Sequence, residues 1–345
     1  MAMASFSLNP LHQQTFCPKF HRLSRNSAIS PSRLRLCALR FSSTIRASSA
    51  LPFQSDLNTQ QSQTLDADPF ACPVCYEPLI RKGPPGFNLI FRSAIYSSGF
   101  KCKNCNKTYS SKDNYLDLTV TAGMKVYTEA RPVGTELFRS PVVSFLYERG
   151  WRQIFSQGGF PGPDEEFKMA QEYFKPVQGG LLIDVSCGSG LFSRKFAKSG
   201  TYSKVIASDF SENMLRQCYD FIKQDNTIPN TNLALVRADV SRLPFPSGSV
   251  DAVHAGAALH CWPSPSNAIA EISRVLRSGG VFVGTTFLRY SESSPWVERV
   301  VRESLMGTYS YLIKEEVEEL CTSCGLTNYQ CQVQQTFIMF SAEKP

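Results

Sequence analysis

Four cysteines in two C-x-x-C pairs, Cys72-Pro73-Val74-Cys75 and Cys102-Lys103-Asn104-Cys105, have a type and spacing that suit metal chemistry. Two such thiolate pairs complete a tetrahedral four-cysteine zinc site, and a shell of four thiolates leaves no open position for water. This zinc would fold its segment and not catalyse. A third pair, Cys321 and Cys324, sits at the end of a helical stretch that starts near Glu315 and stops at Gly325. It reads as helix packing.

A second constellation follows an apolar run: Leu181-Leu182-Ile183-Asp184-Val185-Ser186-Cys187-Gly188-Ser189-Gly190. A buried strand ends in a turn of small residues, and a helix is expected from Leu191, with Leu191, Phe192 and Phe196 inward and a glycine stop at Gly200. Small residues let a ligand approach the backbone, whose exposed N–H groups can receive a carboxylate. The spacing Gly188-Ser189-Gly190 does not fit the dinucleotide fingerprint G-x-G-x-x-G. The next apolar run, Lys204-Val205-Ile206-Ala207-Ser208, ends in Asp209, where an acid can take both ribose hydroxyls of an adenosyl group.

The elements that must position these residues alternate strand and amphipathic helix from residue 180 to the C-terminus. That order predicts an α/β fold with a mainly parallel sheet covered on both faces. Upstream, residues 141–155 and 164–174 are helical in pattern. The organisation expected is a transit peptide over 1–47, a polar linker over 48–66, a zinc-ribbon module over 67–120, a helical lead-in over 121–178 and the catalytic domain over 179–345.

The net charge of +7 has one source. Lys19, Arg22, Arg25, Arg33, Arg35, Arg40 and Arg46 all precede the first acid, Asp56. They equal the whole excess, so the remainder is neutral. A Ser- and Arg-rich segment without acids and without a continuous apolar core reads as a plastid transit peptide cleaved near Arg46, and not as a secretory signal. No apolar run approaches the ~18 residues of a membrane span. Any lipid contact is therefore peripheral, and the expected location is the chloroplast, in the stroma or on lipid particles.

The run 181–287 resembles class I S-adenosylmethionine-dependent methyltransferases of the group that includes the ubiquinone and menaquinone biosynthesis enzymes. Their first motif usually reads Val-Leu-Asp-Val-Gly-Cys-Gly-Thr-Gly, and this chain has Ser186 at the first glycine. Arg237-Ala238-Asp239-Val240, Ser249-Val250-Asp251-Ala252-Val253-His254 and Arg277-Ser278-Gly279-Gly280 match later landmarks. Residues 325–333 and 335–342 suit the antiparallel closing hairpin. The resemblance implies a Rossmann-like sheet with S-adenosylmethionine as cofactor. Its methionine end would lie over Ser186, Cys187, Gly188 and Gly190 beyond Asp184, its ribose on Asp209, and its adenine near Phe210, Met214, Asp239 and Val240. A zinc ribbon before such a domain also resembles the bacterial ribosomal-RNA guanine-N1 methyltransferases and small zinc-ribbon partners of methyltransferases.

After the expected fourth strand the chain reads His254-Ala255-Gly256-Ala257-Ala258-Leu259-His260-Cys261-Trp262, without the Asn/Asp-Pro-Pro-Tyr tetrad of exocyclic-amine chemistry. His260 is the candidate general base, and His254 reads as a packed core histidine. Tyr147, Arg149, Trp151, Arg152 and Phe160 form an aromatic-basic cluster ahead of the core, and residues 292–305 are a candidate lid. Three functions stay open. The first is methylation of a small or lipophilic plastid metabolite, for instance a quinone-like ring. The second is methylation of plastid RNA, docked through Arg81, Lys82, Arg92, Lys101, Lys103, Lys107 and Lys112. The third is a non-catalytic cofactor-binding adaptor.

Overall fold

Strand follows helix through the C-terminal half because each apolar run is short and each helix is apolar on one side only. A computed structural model describes residues 69–82, 99–112, 114–124, 140–146, 148, 150–228, 232–290, 297 and 309–345. These all fall within the unit Gln61–Pro345. The transit segment, the linker, the side chains of Tyr147, Arg149 and Trp151, Arg92, and the lid over 292–305 (Val297 excepted) lie outside the described residues.

The parallel centre consists of β5 (Leu181–Val185), β6 (Lys204–Asp209), β7 (Leu233–Arg237), β8 (Val250–Ala255) and β9 (Leu276–Phe287). β10 (Thr327–Gln334) and β11 (Phe337–Glu343) close the far edge as an antiparallel hairpin on β9. The order β7-β6-β5-β8-β9 reverses direction at β5. In an open α/β sheet the crevice at that switch point, beyond the carboxyl ends of the strands, is where ligands bind.

The helices pack for the reasons their sequences suggest. α1 (Pro141–Leu146) is followed by a 3-10 turn over Trp151–Gly158 and by α2 (Pro163–Tyr173). The continuous helix expected over 141–155 is broken near Gly150, whose φ of 173° is extended; glycine is a poor helix former. α3 (Leu191–Lys198) begins at Leu191 as expected, behind Gly190 in the left-handed region, and buries Phe192, Phe196 and Ala197. α4 (Glu212–Gln224) is capped by Ser211, whose hydroxyl accepts from the Met214 amide. α5 (Pro265–Val275) starts from a Ser264 cap, and α6 (Lys314–Ser323) carries Cys321 inward. Residues 277–280 are part of β9, with Gly279 at φ 73° and a register shift between Val250 and Ala252. No described helix is long and apolar enough to cross a membrane.

The cysteine segment is continuous with this sheet. β1 (Leu79–Lys82), β2 (Gly99–Cys102) and β3 (Thr108–Lys112) form an antiparallel ribbon, and β3 pairs with β4 (Tyr115–Asp117). β4 then runs parallel to β7, Leu116 opposite Val236. Among the described residues the result is an 11-stranded sheet, β1-β2-β3-β4-β7-β6-β5-β8-β9-β11-β10. Arg237 on β7 closes the junction with an ion pair to Asp117 at 3.1 Å. Phe70 packs edge-on against Phe100 of the ribbon and also against Phe245 of the core.

Candidate functional site

A cavity of about 540 Å³ opens at the carboxyl ends of β5 to β8, within the ~300–1,000 Å³ usual for small-molecule sites. The turn after β5 contributes Val185, Ser186 and Gly188, and the turn after β6 contributes Asp209, Phe210, Ser211 and Met214. The loop after β7 adds the run from Ala238 to Leu243, and the segment after β8 adds His260, Cys261 and Trp262. Thr119 and Val120, just past β4, complete the wall, with Phe155 from the 3-10 turn.

Asp209 ties two of these turns together. Its carboxylate accepts from the Gly188 amide at 2.9 Å and from the Ser211 amide at 2.7 Å. Burial nevertheless outweighs those bonds and raises its pKa to about 6. Asp239 accepts from the Ser241 amide at 2.9 Å. Phe210, Met214 and Val240 supply apolar wall beside both acids.

The structure separates the candidate residues of the first turn into two groups. Ser186 and Gly188 face the cavity, while Asp184, Cys187 and Gly190 do not line it. Asp184, 1% exposed, accepts a hydrogen bond from Ser193 and meets His254 Nδ1 at 2.7 Å. It braces β5 against β8 and α3. His254 is the expected core histidine, packed on Phe192 and Phe196. Gly190 is required by packing: a Cβ there would sit 2.1 Å from the Cys218 sulfur, and its φ is +79°. Burial pushes the Cys187 thiol well up, next to Cys218.

Ser186 occupies the left-handed region at φ 54°, which costs a non-glycine residue about 1–2 kcal/mol. Its hydroxyl accepts from the Trp262 indole N–H at 2.9 Å. That bond joins the turn after β5 to the segment after β8 across the cavity and offsets part of the strain.

His260 lines the cavity with Nδ1 3.0 Å from the Thr286 hydroxyl. Its ring stacks on Tyr311, centroids 5.6 Å apart and planes 5° apart, and meets the edge of Phe287. Phe155 is set by the buried Arg152, whose guanidinium lies over that ring while bonding both oxygens of Glu166 at 2.8–2.9 Å. Neighbouring Cys261 has a thiol pushed up to about 12 by burial, too high for a thiolate nucleophile.

The four ribbon cysteines converge, each with a sulfur within 4.8 Å of the others, and none is in a disulfide. Cys72 and Cys105 are 3.6 Å apart and Cys75 and Cys102 3.3 Å, near the ~3.8 Å edge of a tetrahedron with 2.3 Å zinc–sulfur bonds. The knuckles are built alike. Cys72 N–H donates to Glu77 and Cys102 N–H to Lys107, and Tyr76 and Asn106 both take positive φ after the second cysteine. Burial raises the Cys72 thiol, but bonds from the Tyr109 hydroxyl and the Cys75 and Val74 amides bring it down to about 7. This donor set fits a thiolate-binding metal. Cys321 and Cys324 form no such cluster; burial pushes Cys321 up to about 12, as helix packing requires.

Residues 183–284 match the methyltransferase-domain family model. An uncharacterized chloroplastic methyltransferase of Arabidopsis thaliana is 62% identical over the full length of both chains. The protein is a chloroplast member of the class I S-adenosylmethionine-dependent methyltransferases. A second uncharacterized chloroplastic methyltransferase of the same plant is 54% identical over 80% of this methyltransferase and 78% of its own length. A demethylmenaquinone methyltransferase of Staphylococcus aureus is 27% identical over 44% of this chain and 69% of that protein. In fold, the chain is similar to a Haemonchus contortus phosphoethanolamine N-methyltransferase in complex with S-adenosyl-L-methionine. That match has a TM-score of 0.50 and 16% identity, over 64% of this chain and 61% of the other.

Sequence reasoning missed Thr119, Val120, Phe155 and Arg242 as parts of the methyltransferase cavity. None carries a local signal, because they reach the wall from three separate segments: the stretch past β4, the 3-10 turn and the loop after β7. Trp262 had one, a tryptophan just past a strand end beside a candidate base.

Proposed function

We propose that this enzyme methylates a small or lipophilic plastid metabolite carrying a ring, and that its zinc is structural. The observation that carries the acceptor class is the lining. Among the described residues around the cavity, Arg242 holds the one fixed positive charge, and its guanidinium is engaged by the Pro73 and Val74 carbonyls. Phe155, Trp262 and His260 form an aromatic wall, and among the described residues no further cation lines the cavity to meet a phosphate. The demethylmenaquinone methyltransferase relative supports a quinone-like ring.

Ser186 and Gly188 would hold the methionine end, Asp209 the ribose, and Asp239 the adenine amino group, with Phe210, Met214 and Val240 against the base. Asp184, Cys187 and Gly190 would act from behind, by shaping the turn. Bound S-adenosylmethionine supplies an electrophilic methyl on a sulfonium, so the protein's task is to position the acceptor in line. His260 is the group placed to take the acceptor's proton. With Nδ1–H donating to Thr286, Nε2 carries the lone pair. The stacked Tyr311 restrains the ring's tilt.

The test is transfer of a labelled methyl from the cofactor into chloroplast extracts. Label should enter the organic-soluble metabolite fraction, with a rate changing less than about twofold between 50 and 200 mM salt. A second reading draws on the exposed Lys82, Lys101 and Lys103, which favour RNA docking on the ribbon. An RNA held by six or more phosphate contacts would lose about 10³-fold in affinity over the same range. Label in RNA with that salt slope would replace the metabolite reading.

Cofactor binding should also depend on pH. Ribose hydroxyls donate to ionised Asp209, whereas the free protein holds this carboxyl near 6. Affinity for S-adenosylhomocysteine should be flat above pH 7 and fall up to about tenfold per unit below 6, because a proton must leave before binding. Calorimetry from pH 5 to 8 checks this; a flat profile would remove Asp209 from the ribose.

A further inference from the structure

We infer that Arg242 couples the metal knuckle to the adenine side of the cofactor cavity, so that metal occupancy and cofactor affinity rise together. The inference rests on the reading above that Asp239 meets the adenine.

The loop after β7 is a tight turn. The Arg242 amide donates to the Asp239 carbonyl at 2.9 Å, and the Ser241 amide donates to the Asp239 carboxylate at 2.9 Å. The direction of that carboxylate therefore depends on the turn's backbone. From the same turn the Arg242 side chain reaches the first knuckle, where Nε donates to the Pro73 carbonyl at 2.9 Å and a terminal nitrogen to the Val74 carbonyl at 3.2 Å.

Those two carbonyls belong to a particular pair of peptide units. Their amide ends, Val74 N–H and Cys75 N–H, donate to the Cys72 sulfur. Arg242 thus holds the oxygen ends of the two peptides whose nitrogen ends serve a metal-site thiolate. A cation at the oxygen end strengthens the N–H at the other. A metal that fixes Cys72 fixes these units, and through them the guanidinium and the turn. Without metal, these two peptide units are held by the knuckle's own backbone bonds and by Arg242, with no clamp on the Cys72 sulfur.

The ring of Tyr76, at the end of the knuckle, adds a second strap. It lies under Arg242 at 5.4 Å and under Arg274 at 4.0 Å. Arg274 in turn donates to the Leu243 and Phe245 carbonyls, at 2.8 and 2.9 Å. The segment that carries Asp239 is therefore bracketed by two arginines sharing one knuckle aromatic.

Coupling of this kind is reciprocal: whatever factor the metal adds to cofactor affinity, the cofactor adds to metal affinity. The experiment uses the zinc-loaded full chain, a chromophoric chelator and saturating S-adenosylhomocysteine. In the parent protein the ligand should reduce zinc transfer to the chelator by about tenfold, in the range of ordinary coupling. Arg242→Ala should keep one zinc and a cooperative melt but lose this protection to within about twofold. Arg242→Lys, which keeps the charge without the fork, should fall between. Equal protection in parent and Arg242→Ala, or none in the parent, overturns the coupling. S-inosylhomocysteine separates the two readings, since its base lacks the amino donor. If it binds the parent as tightly as S-adenosylhomocysteine, the Asp239–adenine contact is wrong, while the zinc measurement still decides whether the sites are linked.

Discussion

Changing Cys72 and Cys102 to serine should yield protein without zinc and a melting temperature at least ~10 °C lower. Structural zinc in small modules contributes apparent binding energies of about 10–16 kcal/mol near neutral pH, drawn directly from folding. In a chain of this size a loss of about 3–5 kcal/mol is enough for that drop. The effect should not stay in the ribbon, because the ribbon shares its sheet with the core. Leu118 N–H donates to Arg237 and Ala71 N–H to Pro244 across the junction, and Thr119 and Val120 belong to the cavity wall. Cofactor affinity should fall together with stability. Metal analysis, a thermal melt and calorimetry on one sample read all three. Full stability without metal, or a reversible Cys72–Cys75 disulfide, would replace structural zinc with a redox dithiol. The Cys72 thiol near 7 adds a sign. Zinc needs thiolates, so affinity should weaken as pH falls and protons compete for the sulfurs, Cys72 being the readiest to ionise.

Asp209→Ala should weaken S-adenosylhomocysteine binding by about 10- to 150-fold, and toward the upper end. One charge-assisted bond to the ribose is worth ~1.5–3 kcal/mol, which spans that range. The substitution also frees the Gly188 and Ser211 amides that the carboxylate holds, loosening two cavity turns at once. Asp209→Asn, which can still accept one bond, should cost about tenfold. Stability separates this from misfolding. Burial raises the folded pKa of Asp209 above its ordinary value, so the ionised form is disfavoured in the native state. Its unfavourable contribution builds as pH rises from the ordinary carboxylate range to about 6 and is complete above that, so the protein regains stability as pH falls below 6. The Asn variant should therefore melt no lower than the parent at pH 8 while binding the cofactor worse. Unchanged affinity in both variants would place the ribose elsewhere.

Much of the fold was legible because its signals are local. The helix start at Leu191 follows from a glycine turn and an apolar stripe, and the structure begins α3 there. The alternation from residue 180 onward implies the parallel sheet, and the strand ends with their acids point to the cavity's floor. The separate roles of Asp184 and Asp209 were not legible. Both are acids at strand ends, but in β5 the period of two turns Asp184 toward α3 and His254, whereas Asp209 reaches the cavity from the last position of β6.

By itself the sequence determined a mainly parallel α/β sheet, the chloroplast destination and the two cysteine knuckles. Each is written in period, composition or spacing within a few residues. Tertiary structure alone decided that the ribbon extends the catalytic sheet. β4 is three residues with no alternation to betray it, and its partner β7 lies far along the chain. The bond from Trp262 to Ser186 and the reach of Arg242 to Pro73 were likewise undecided until the chain folded. In sequence, an arginine that holds a metal knuckle is identical to one that faces water. Only the fold, by closing that long loop and bringing the Pro73 and Val74 carbonyls within reach of the guanidinium, distinguishes them.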